Sequence, residues 1–308
     1  MISLLSRYSS LLLIVAAAIG FAFPVLSATV FPSLPYILFF LMLFTLLGMP
    51  QSLLLSQMAE IQIWIYAIFH STLLTLLSCF IAITMNASDD LILAIAAISA
   101  TGSLFATPAI ARSVGLEPLK AMAMTIASTL LMPVVLYINL MIFQDEQFSL
   151  DITSYLQRLV IFILGPMLFS AICYRLIPYH HLHRIHGKLS QVTIILVLAF
   201  PFGLIGPFRE VFEQSLTDGF FYLAIGVAIC SFYFFAGYLC YRYLGLDQGL
   251  LVAITSANRN VLLTYTVAGS YLGPDFLVLM GALQLPTYCL PLIIKGLYRY
   301  TEKVSTVK

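Results

Sequence analysis

The chain has 308 residues, of which 61% are hydrophobic and 9% are charged, and its formal net charge is +1. Soluble domains carry about 25% charged residues, so this composition excludes an ordinary soluble protein and indicates a chain surrounded by lipid. The near-zero net charge gives no sign of nucleic-acid binding.

Ten apolar segments follow one another, each close to the roughly 20 residues that a helix needs to cross the hydrocarbon core. They are predicted at 9–29, 35–55, 61–84, 90–112, 119–143, 154–177, 189–208, 219–244, 248–271 and 275–298. The runs are continuous rather than alternating, which favours helices over barrel strands. Short connections predict one all-α polytopic membrane domain over residues 1–308. The first span is preferred to a cleaved signal peptide because Leu26 suits a cleavage site poorly.

The positive charges predict the orientation of these spans. With the N-terminus inside, the inner segments hold eleven Lys and Arg residues, whereas the outer loops hold only Arg158 and Arg209. Cytoplasmic loops carry such an excess in membrane proteins. We therefore expect a multi-pass protein with both termini in the cytoplasm.

Span nine contains a charge in its middle. The stretch ITSANRNVLLTYTVAG places Arg259 between Asn258 and Asn260, with apolar residues on both sides. A charged side chain at the bilayer centre costs about 2.5–3.5 kcal/mol on insertion scales. Something must compensate this charge, so the segment is a candidate functional site.

Span four, the partner of span nine by position, is also irregular. Ten spans divide into halves of five, about 9–143 and 154–298, and an odd number per half predicts inverted repeats. Span four holds Thr101, Gly102, Ser103, Thr107 and Pro108 near its middle. Irregular backbone at membrane depth is tolerated when it is buried in protein or lines a cavity. We expect two broken helices to meet near the midplane; a simple proline kink in span four is the alternative.

Three stretches carry a resemblance to the bile acid:sodium symporter family. They are LFFLMLFTLLGMPQSLL in span two, SATGSLFATPAIARSVGLEPLKAMAMTIASTLLMP across spans four and five, and LDQGLLVAITSANRNVLLTYTVAGSYLGPDFLVLMGALQLPTYCLP near the end. The match covers nearly the whole chain, and order and spacing carry it rather than any single motif.

The resemblance implies a fold and an activity. Spans three to five and eight to ten would form a core domain in which spans four and nine are broken and cross. Spans one, two, six and seven would form a panel that moves relative to the core. The family mostly imports organic anions such as bile acids and small carboxylates, driven by two sodium ions. For a bacterial-type member, the expected location is the inner (plasma) membrane.

The chain departs from the family at the sodium-binding positions. Sodium-coupled members carry a Glu in span nine, then a Gln-Asn pair four and five residues later. With Asn260 taken as that Asn, this chain has Thr255 in place of the Glu and Arg259 in place of the Gln. The family's Ser-Asn pair in span four becomes Ala106-Thr107. The resemblance therefore implies a degenerate sodium site.

Arg259 is predicted to replace sodium as a tethered cation. Its guanidinium would bond to carbonyls of the unwound segments and present a two-pronged edge to a substrate carboxylate. A purely structural role for Arg259 is the alternative. The predicted substrate-binding residues are Arg259, Asn258, Asn260, Thr101, Ser103, Thr107 and Gln284. The degenerate cation site comprises Thr107, Thr125, Ser128, Thr255, Ser256, Arg259 and Asn260.

These features predict a secondary transporter that moves a small organic anion by alternating access, with weakened or absent sodium coupling. Two alternatives stay open: a sodium- or proton-coupled symporter whose cation site lacks a carboxylate, and a membrane receptor of the same fold that does not transport. The expected partners are the anion and the lipid bilayer, with no protein partner indicated. No cofactor is predicted, except that sodium stays open as a coupling ion.

Other polar features carry less weight. The chain has no HExxH or GxSxG motif and no pair of carboxylates within the spans, so we predict neither an enzyme nor a catalytic or metal site. The four histidines at 180, 181, 183 and 186 are interpreted as part of a solvated basic loop at 178–188. The five cysteines are interpreted as packing residues. His70 in span three is either a proton relay or a hydrogen-bonded core histidine.

Overall fold

A computed structural model of the chain describes residues 9–143 and 151–306, and these residues are helical almost throughout. The first half contains α1 Ser9–Ala22, α2 Pro24–Val30, α3 Leu34–Leu47, α4 Gln51–Met58, α5 Ile61–Ile68, α6 Leu74–Thr84, α7 Asp89–Ala100, α8 Thr107–Ser113 and α9 Pro118–Phe143. The second half contains α10 Ile152–Leu159, α11 Gly165–Leu176, α12 Tyr179–Leu204, α13 Gly206–Gln214, α14 Leu216–Tyr241, α15 Leu246–Ala257, α16 Val261–Ala268, α17 Pro274–Ala282 and α18 Gln284–Thr306.

Seven segments of the described chain are helical, long and apolar enough to cross a membrane. They are Pro24–Leu47, Ile61–Thr84, Pro118–Phe143, Ile152–Leu176, Val192–Gln214, Leu216–Leu244 and Pro274–Ile294. Two shorter apolar helices, Leu11–Ala22 and Leu246–Ala257, accompany them. The predicted class, an all-α polytopic membrane protein, is confirmed.

Peripheral and central helices differ in how much of their surface is buried. Only 17% of the apolar stretch within the segment Ile152–Leu176 is buried inside the protein, and the large apolar side chains of this segment face outward. In contrast, every residue from Leu91 to Ala100 in α7 and from Gly249 to Ala257 in α15 is buried. A helix that is apolar all round and buried belongs to the centre of a bundle. The interior of this bundle is therefore built around α7 and α15.

The chain turns sharply near its start. Gly20 packs against Phe202 of α12, and Leu34 packs against the adjacent Gly203. The hydroxyl of Ser27 donates a hydrogen bond to the Phe202 carbonyl at 2.8 Å. A straight helix would separate positions 20 and 34 by about 21 Å. The segment α2 therefore joins two helices that run alongside α12, and α3 ends at Leu47 rather than continuing to the predicted 55.

The predicted loop at 178–188 is wrong. Helix α12 begins at Tyr179 and runs without interruption to Leu204, so the histidine-rich stretch is its first three turns. Pro178 is the residue before the helix, and proline at a helix start is compatible with its missing N–H group. The stretch is strongly polar, but its residues are good enough helix formers to extend the apolar span that follows.

The helices pack in two groups. In one group, α12 packs along α1 and α3, and α11 packs on α3. In the other, α9 packs on α5, α7 and α8, while α14 packs closely along α15. The second group encloses α7, α8 and α15, which hold most of the predicted site residues.

Candidate functional site

The first interruption of a helix separates α7 from α8. Helix α7 ends at Ala100, Thr101 is extended, and helix α8 begins at Thr107. A Cβ atom on Gly102 would lie 2.7 Å from the Cα atom of Thr129 in α9, so this close approach of two backbones requires glycine. Pro108 lies in the first turn of α8, where its missing N–H group costs no helical hydrogen bond. The irregularity is thus a full break rather than a proline kink.

The second interruption, between α15 and α16, is shorter. Helix α15 ends at Ala257 and helix α16 begins at Val261, leaving Asn258, Arg259 and Asn260 outside both helices. All three residues are buried. Spans four and nine are therefore both broken, as the sequence predicted.

The two interruptions pair with each other through one antiparallel β-bridge. The Leu104 N–H donates to the Asn258 carbonyl at 2.8 Å, and the Asn260 N–H donates to the Gly102 carbonyl at 2.9 Å. Ser103 and Arg259 form the bridge pair between these hydrogen bonds. Backbone groups that leave a helix inside a membrane must find partners within the protein. Here each broken segment supplies hydrogen-bond partners for the other. We call the two paired segments, residues 101–106 and 258–260, the crossing.

The buried charge of Arg259 is compensated by carbonyl groups and one aromatic ring. Its Nη1 atom donates to the Ser99 carbonyl at 2.6 Å and to the Thr101 carbonyl at 2.9 Å. The last carbonyls of a helix lack intrahelical partners and carry partial negative charge, and both acceptors lie at the end of α7. The guanidinium carbon also lies 3.3 Å from the centroid of the Tyr233 ring, a cation–π contact.

Only half of the Arg259 guanidinium is engaged. Its Nε and Nη2 atoms are buried and have no hydrogen-bond partner among the described residues. These two nitrogens form one straight edge of the guanidinium, the geometry that binds a carboxylate through two parallel hydrogen bonds. The predicted contact with the unwound segment is therefore present, and the second edge of the guanidinium has no partner among the described residues.

Both asparagines beside Arg259 also have unused hydrogen-bonding groups. In the described part of the chain, the side-chain oxygen and nitrogen of Asn258 and of Asn260 have no partner, nor have the hydroxyls of Thr107 and Thr129. In proteins, about nine in ten buried polar groups have a hydrogen-bond partner. Such a concentration of exceptions at one place is typical of a binding site.

Several predicted cation-site residues use their hydroxyl groups within their own helices. Thr125 donates to the Ala121 carbonyl at 2.9 Å, Thr255 donates to Leu251 at 2.6 Å, and Ser128 donates to the Thr125 carbonyl at 3.1 Å. Thr107 and Ser256 are buried without such a partner. These residues lie on α8, α9 and α15, which pack against one another.

Two carbonyl oxygens at the crossing are engaged by Arg259. Sodium requires several hard oxygen ligands, but the Ser99 and Thr101 carbonyls already accept hydrogen bonds from Arg259. No cluster of three or more His, Cys, Asp or Glu residues with metal-binding geometry occurs in the described ranges. The Arg259 guanidinium thus bonds to two carbonyl oxygens at the end of α7.

Gln284, a predicted substrate contact, is directed elsewhere. It is the first residue of α18, and its side-chain amide donates to the Met280 carbonyl at 2.8 Å. The observed hydrogen bond thus joins Gln284 to the preceding turn and not to the crossing. Thr101 is also engaged locally, because its hydroxyl donates to the Ile98 carbonyl at 2.9 Å.

A hydrogen-bonded chain from span three reaches the crossing. The Nε2 atom of His70 lies 3.1 Å from the Thr101 carbonyl, and its Nδ1 atom lies 3.2 Å from the Tyr66 hydroxyl. That hydroxyl lies 3.0 Å from the Ser103 Oγ atom. Residues Phe69–Leu73 form a π-helical turn, an irregularity often found at functional sites.

Sequence reasoning missed two aromatic residues of this site. Tyr233 was one aromatic residue among several in span eight, so its sequence context gave no signal. Tyr66 stands four residues before His70, a spacing that places two side chains on the same face of a helix. That spacing was the available signal for the Tyr66–His70 pair.

Comparison with known proteins does not assign the chain to a family. No protein-family model matches the sequence, and no curated protein matches it. The resemblance to the bile acid:sodium symporter family therefore continues to depend on the motifs in the sequence. What the structure adds is independent of that resemblance: a polytopic helical membrane protein with two broken helices that cross at a buried arginine.

Proposed function

We propose that this protein is a secondary transporter of a small organic anion, with the fold of the bile acid:sodium symporter family. In this proposal, ten transmembrane helices form two inverted repeats, and the two groups of packed helices correspond to the core and the panel. The observation that carries the proposal is the divided guanidinium of Arg259. One nitrogen holds the broken helix of the other repeat, and the opposite edge has two unused donors.

The arrangement favours an anion over a cation as the bound species. A buried arginine repels cations and attracts a carboxylate, which accepts two hydrogen bonds from the Nε–Nη2 edge. The unpartnered amides of Asn258 and Asn260 flank this residue and can donate to further oxygen atoms of the same anion. Charge-assisted hydrogen bonds are worth about 1.5–3 kcal/mol each, which suffices for selective recognition.

The fixed charge also explains the loss of the family's sodium ligands. In a sodium-coupled site, a metal ion supplies the positive charge next to the anion. Arg259 supplies that charge permanently and saturates two of the nearby carbonyls. We therefore expect transport without a sodium requirement.

The test is uptake of radiolabelled carboxylates by proteoliposomes that contain the purified protein. Succinate, glycocholate and gluconate are suitable probes because their passive permeability is low. We expect uptake of at least one probe at a rate that changes less than about twofold when choline replaces sodium. A steep dependence on sodium would contradict the tethered-cation mechanism. Specific binding without flux would instead favour a receptor.

Arg259→Lys separates substrate binding from a structural role. Lysine keeps the positive charge but lacks the planar edge with two parallel donors. If the edge binds the anion, uptake falls at least about tenfold while the protein stays folded; the matched control is Arg112→Lys at the exposed end of α8. Uptake at the wild-type rate would show that Arg259 only fastens the crossing.

A further inference from the structure

In the hydrogen-bonded chain that leads from the crossing to span three, each contact has a defined donor and acceptor when His70 is neutral. A carbonyl oxygen can only accept, so the 3.1 Å contact to Thr101 means that His70 donates through Nε2. Neutral His70 then has its lone pair on Nδ1, which accepts from the Tyr66 hydroxyl. The Tyr66 oxygen in turn accepts from the Ser103 hydroxyl at 3.0 Å. Each member has a partner, so neutral His70 is fully satisfied.

The same chain also accommodates a protonated His70. With a proton on Nδ1, His70 donates to the Tyr66 oxygen, and the Tyr66 hydroxyl turns to donate to Ser103. The Ser103 hydroxyl oxygen then accepts from Tyr66, while the Ser103 N–H group donates to the Ser128 oxygen at 3.1 Å and the Ser128 hydroxyl donates to the Thr125 carbonyl at 3.1 Å. Only hydroxyl hydrogens rotate, and no heavy atom needs to move. Both ring nitrogens of His70 therefore have hydrogen-bond partners in the neutral and in the protonated state.

Arg259 links this proton to the anion. His70 Nε2 and Arg259 Nη1 both donate to the Thr101 carbonyl, at 3.1 and 2.9 Å, so these two nitrogens are no more than about 6 Å apart. Two buried positive charges at that separation repel each other strongly. A carboxylate on the unused edge of Arg259 would offset the second charge. Proton and anion thus favour each other's binding, and this coupling is necessarily reciprocal.

Few other charged or titratable groups face His70. Tyr66 lies on α5, Tyr233 packs from α14 with its ring centroid 5.9 Å from that of His70, and Arg259 approaches from span nine. The other charged side chains of the adjacent helices lie near helix ends: Asp89 and Asp90 on α7, Lys120 on α9, Asp218 on α14 and Asp247 on α15. Among the uncharged titratable groups, Cys79 lies on α6 and Cys230 on α14, and Tyr241 of α14 packs on Phe69 with ring centroids 5.8 Å apart. Among these charged groups, Arg259 is the one that shares a hydrogen-bond acceptor with His70, the Thr101 carbonyl.

We propose that His70 is the proton-binding residue of a proton–anion symporter, in which one proton on Nδ1 accompanies one carboxylate on Arg259. This inference rests on the proposed transport function and names its coupling ion. The proton comes from water on the side where the site opens and leaves to water on the other side. With a monocarboxylate such as gluconate or glycocholate the transported pair is neutral, so the pH gradient and not the membrane potential drives accumulation.

The test uses the same proteoliposomes and probes in sodium-free choline buffer, with the interior one pH unit more alkaline than the exterior. We expect accumulation of the transported probe up to about tenfold, since one pH unit corresponds to a factor of ten for one proton. With equal potassium concentrations added on both sides of the membrane, nigericin exchanges potassium for protons, dissipates the pH gradient and abolishes this accumulation. Protein-free liposomes report the passive background.

Three variants separate coupling from binding. His70→Gln keeps a donor for Thr101 and an acceptor for Tyr66 but cannot be protonated, so it loses uphill accumulation while exchange of preloaded for external probe stays within about threefold of wild type. Tyr66→Phe removes the acceptor that protonated His70 needs and gives the same pattern. It serves as the test if His70→Gln does not fold. His181→Gln, at an exposed position, leaves both activities unchanged.

Two results would overturn the proposal separately. Accumulation driven by the pH gradient in His70→Gln at the wild-type level, or wild-type uptake that does not accumulate the probe under the gradient, rejects His70 as the coupling residue and leaves anion transport standing. In contrast, the lack of any protein-dependent flux of all three probes rejects transport itself, and the coupling proposal with it.

Discussion

The two interruptions that meet at the centre of the protein differ in length and in chemistry. The interruption in span four extends from residue 101 to 106, is fixed against α9 by Gly102, and contributes mainly backbone groups and hydroxyls. The interruption in span nine has three residues, and it carries the charge and the two asparagines with unpartnered amides. The first segment is thus held by a close backbone contact, whereas the second carries polar side chains without partners among the described residues. Changes in the first should affect folding, whereas changes in the second should affect binding.

Arg259→Gln should have the largest effect, because it removes both the charge and the two-donor edge. Loss of two charge-assisted hydrogen bonds of about 1.5–3 kcal/mol each predicts at least about 100-fold weaker anion binding. Equilibrium binding of the transported probe to purified protein measures this. Arg112→Gln is the matched control. If Arg259→Gln bound the anion within a few-fold of wild type, the interruption in span nine would not be the anion-binding segment.

Gly102→Ala should destabilise the fold. The new methyl group would lie 2.7–2.8 Å from backbone atoms of Thr129, and backbone cannot move aside as a flexible side chain can. Overpacking of this kind costs about 1–3 kcal/mol, which thermal unfolding in detergent detects as a lowered Tm. Gly296→Ala, where nothing lies within 4 Å of the added methyl group, is the control. An unchanged Tm for Gly102→Ala would mean that the first interruption is not rigidly fixed.

Asn260→Leu should separate stability from binding. The Asn260 amide is buried without a partner in the described residues, so a similarly sized apolar side chain should leave the Tm of the ligand-free protein equal or raised. Anion affinity should fall about tenfold if the amide donates one hydrogen bond to the ligand. Asn139→Leu in α9 replaces another buried asparagine with an unpartnered side-chain nitrogen and should leave affinity unchanged. A large fall in Tm for Asn260→Leu would assign this amide to the scaffold.

The smallest effect concerns the glycines that follow the two broken spans. Gly115 has a φ of 84°, in the left-handed region, whereas Gly273 has a φ of −70° that any residue can adopt. Gly115→Ala should cost about 1 kcal/mol, and Gly273→Ala should be nearly neutral, since the closest atom to its added methyl group is 3.7 Å away. Thermal unfolding of the two variants side by side checks this. Equal effects would contradict the difference between these positions.

Much of the architecture was predictable from the sequence, because burial in lipid imposes strong patterns. Long apolar runs predicted the helical membrane class, and clustered Thr, Ser and Asn residues within spans four and nine located both interruptions. The loop predicted at 178–188 was wrong because polarity was taken as a sign of a loop, although a polar stretch can extend a helix beyond the membrane. Helix α1 ends at Ala22 rather than at residue 29, and α3 ends at Leu47 rather than at residue 55, because apolarity alone does not show where a chain turns.

The site was predicted only in part. The sequence singled out Arg259, but a linear sequence does not show which acceptors the guanidinium reaches. The carbonyls of Ser99 and Thr101 belong to the backbone, so residue identity carried no signal for them. The role of Tyr233 likewise depends on how α14 packs along α15. Gln284 was predicted as a substrate contact because it lies close to the site in sequence, but its side-chain amide donates a hydrogen bond to the Met280 carbonyl instead.

Helix α5 contains the only tryptophan of the chain, Trp64. Its indole N–H donates to the Met58 carbonyl at the end of α4 at 2.8 Å, and it lies six residues before His70, about 9 Å along the helix axis. The protein therefore has a single tryptophan, in the same membrane-spanning segment Ile61–Thr84 as His70. Excited at a wavelength that tyrosine does not absorb, its emission reports one location without any label, so rapid-mixing fluorescence can follow changes around the polar chain when an anion is added.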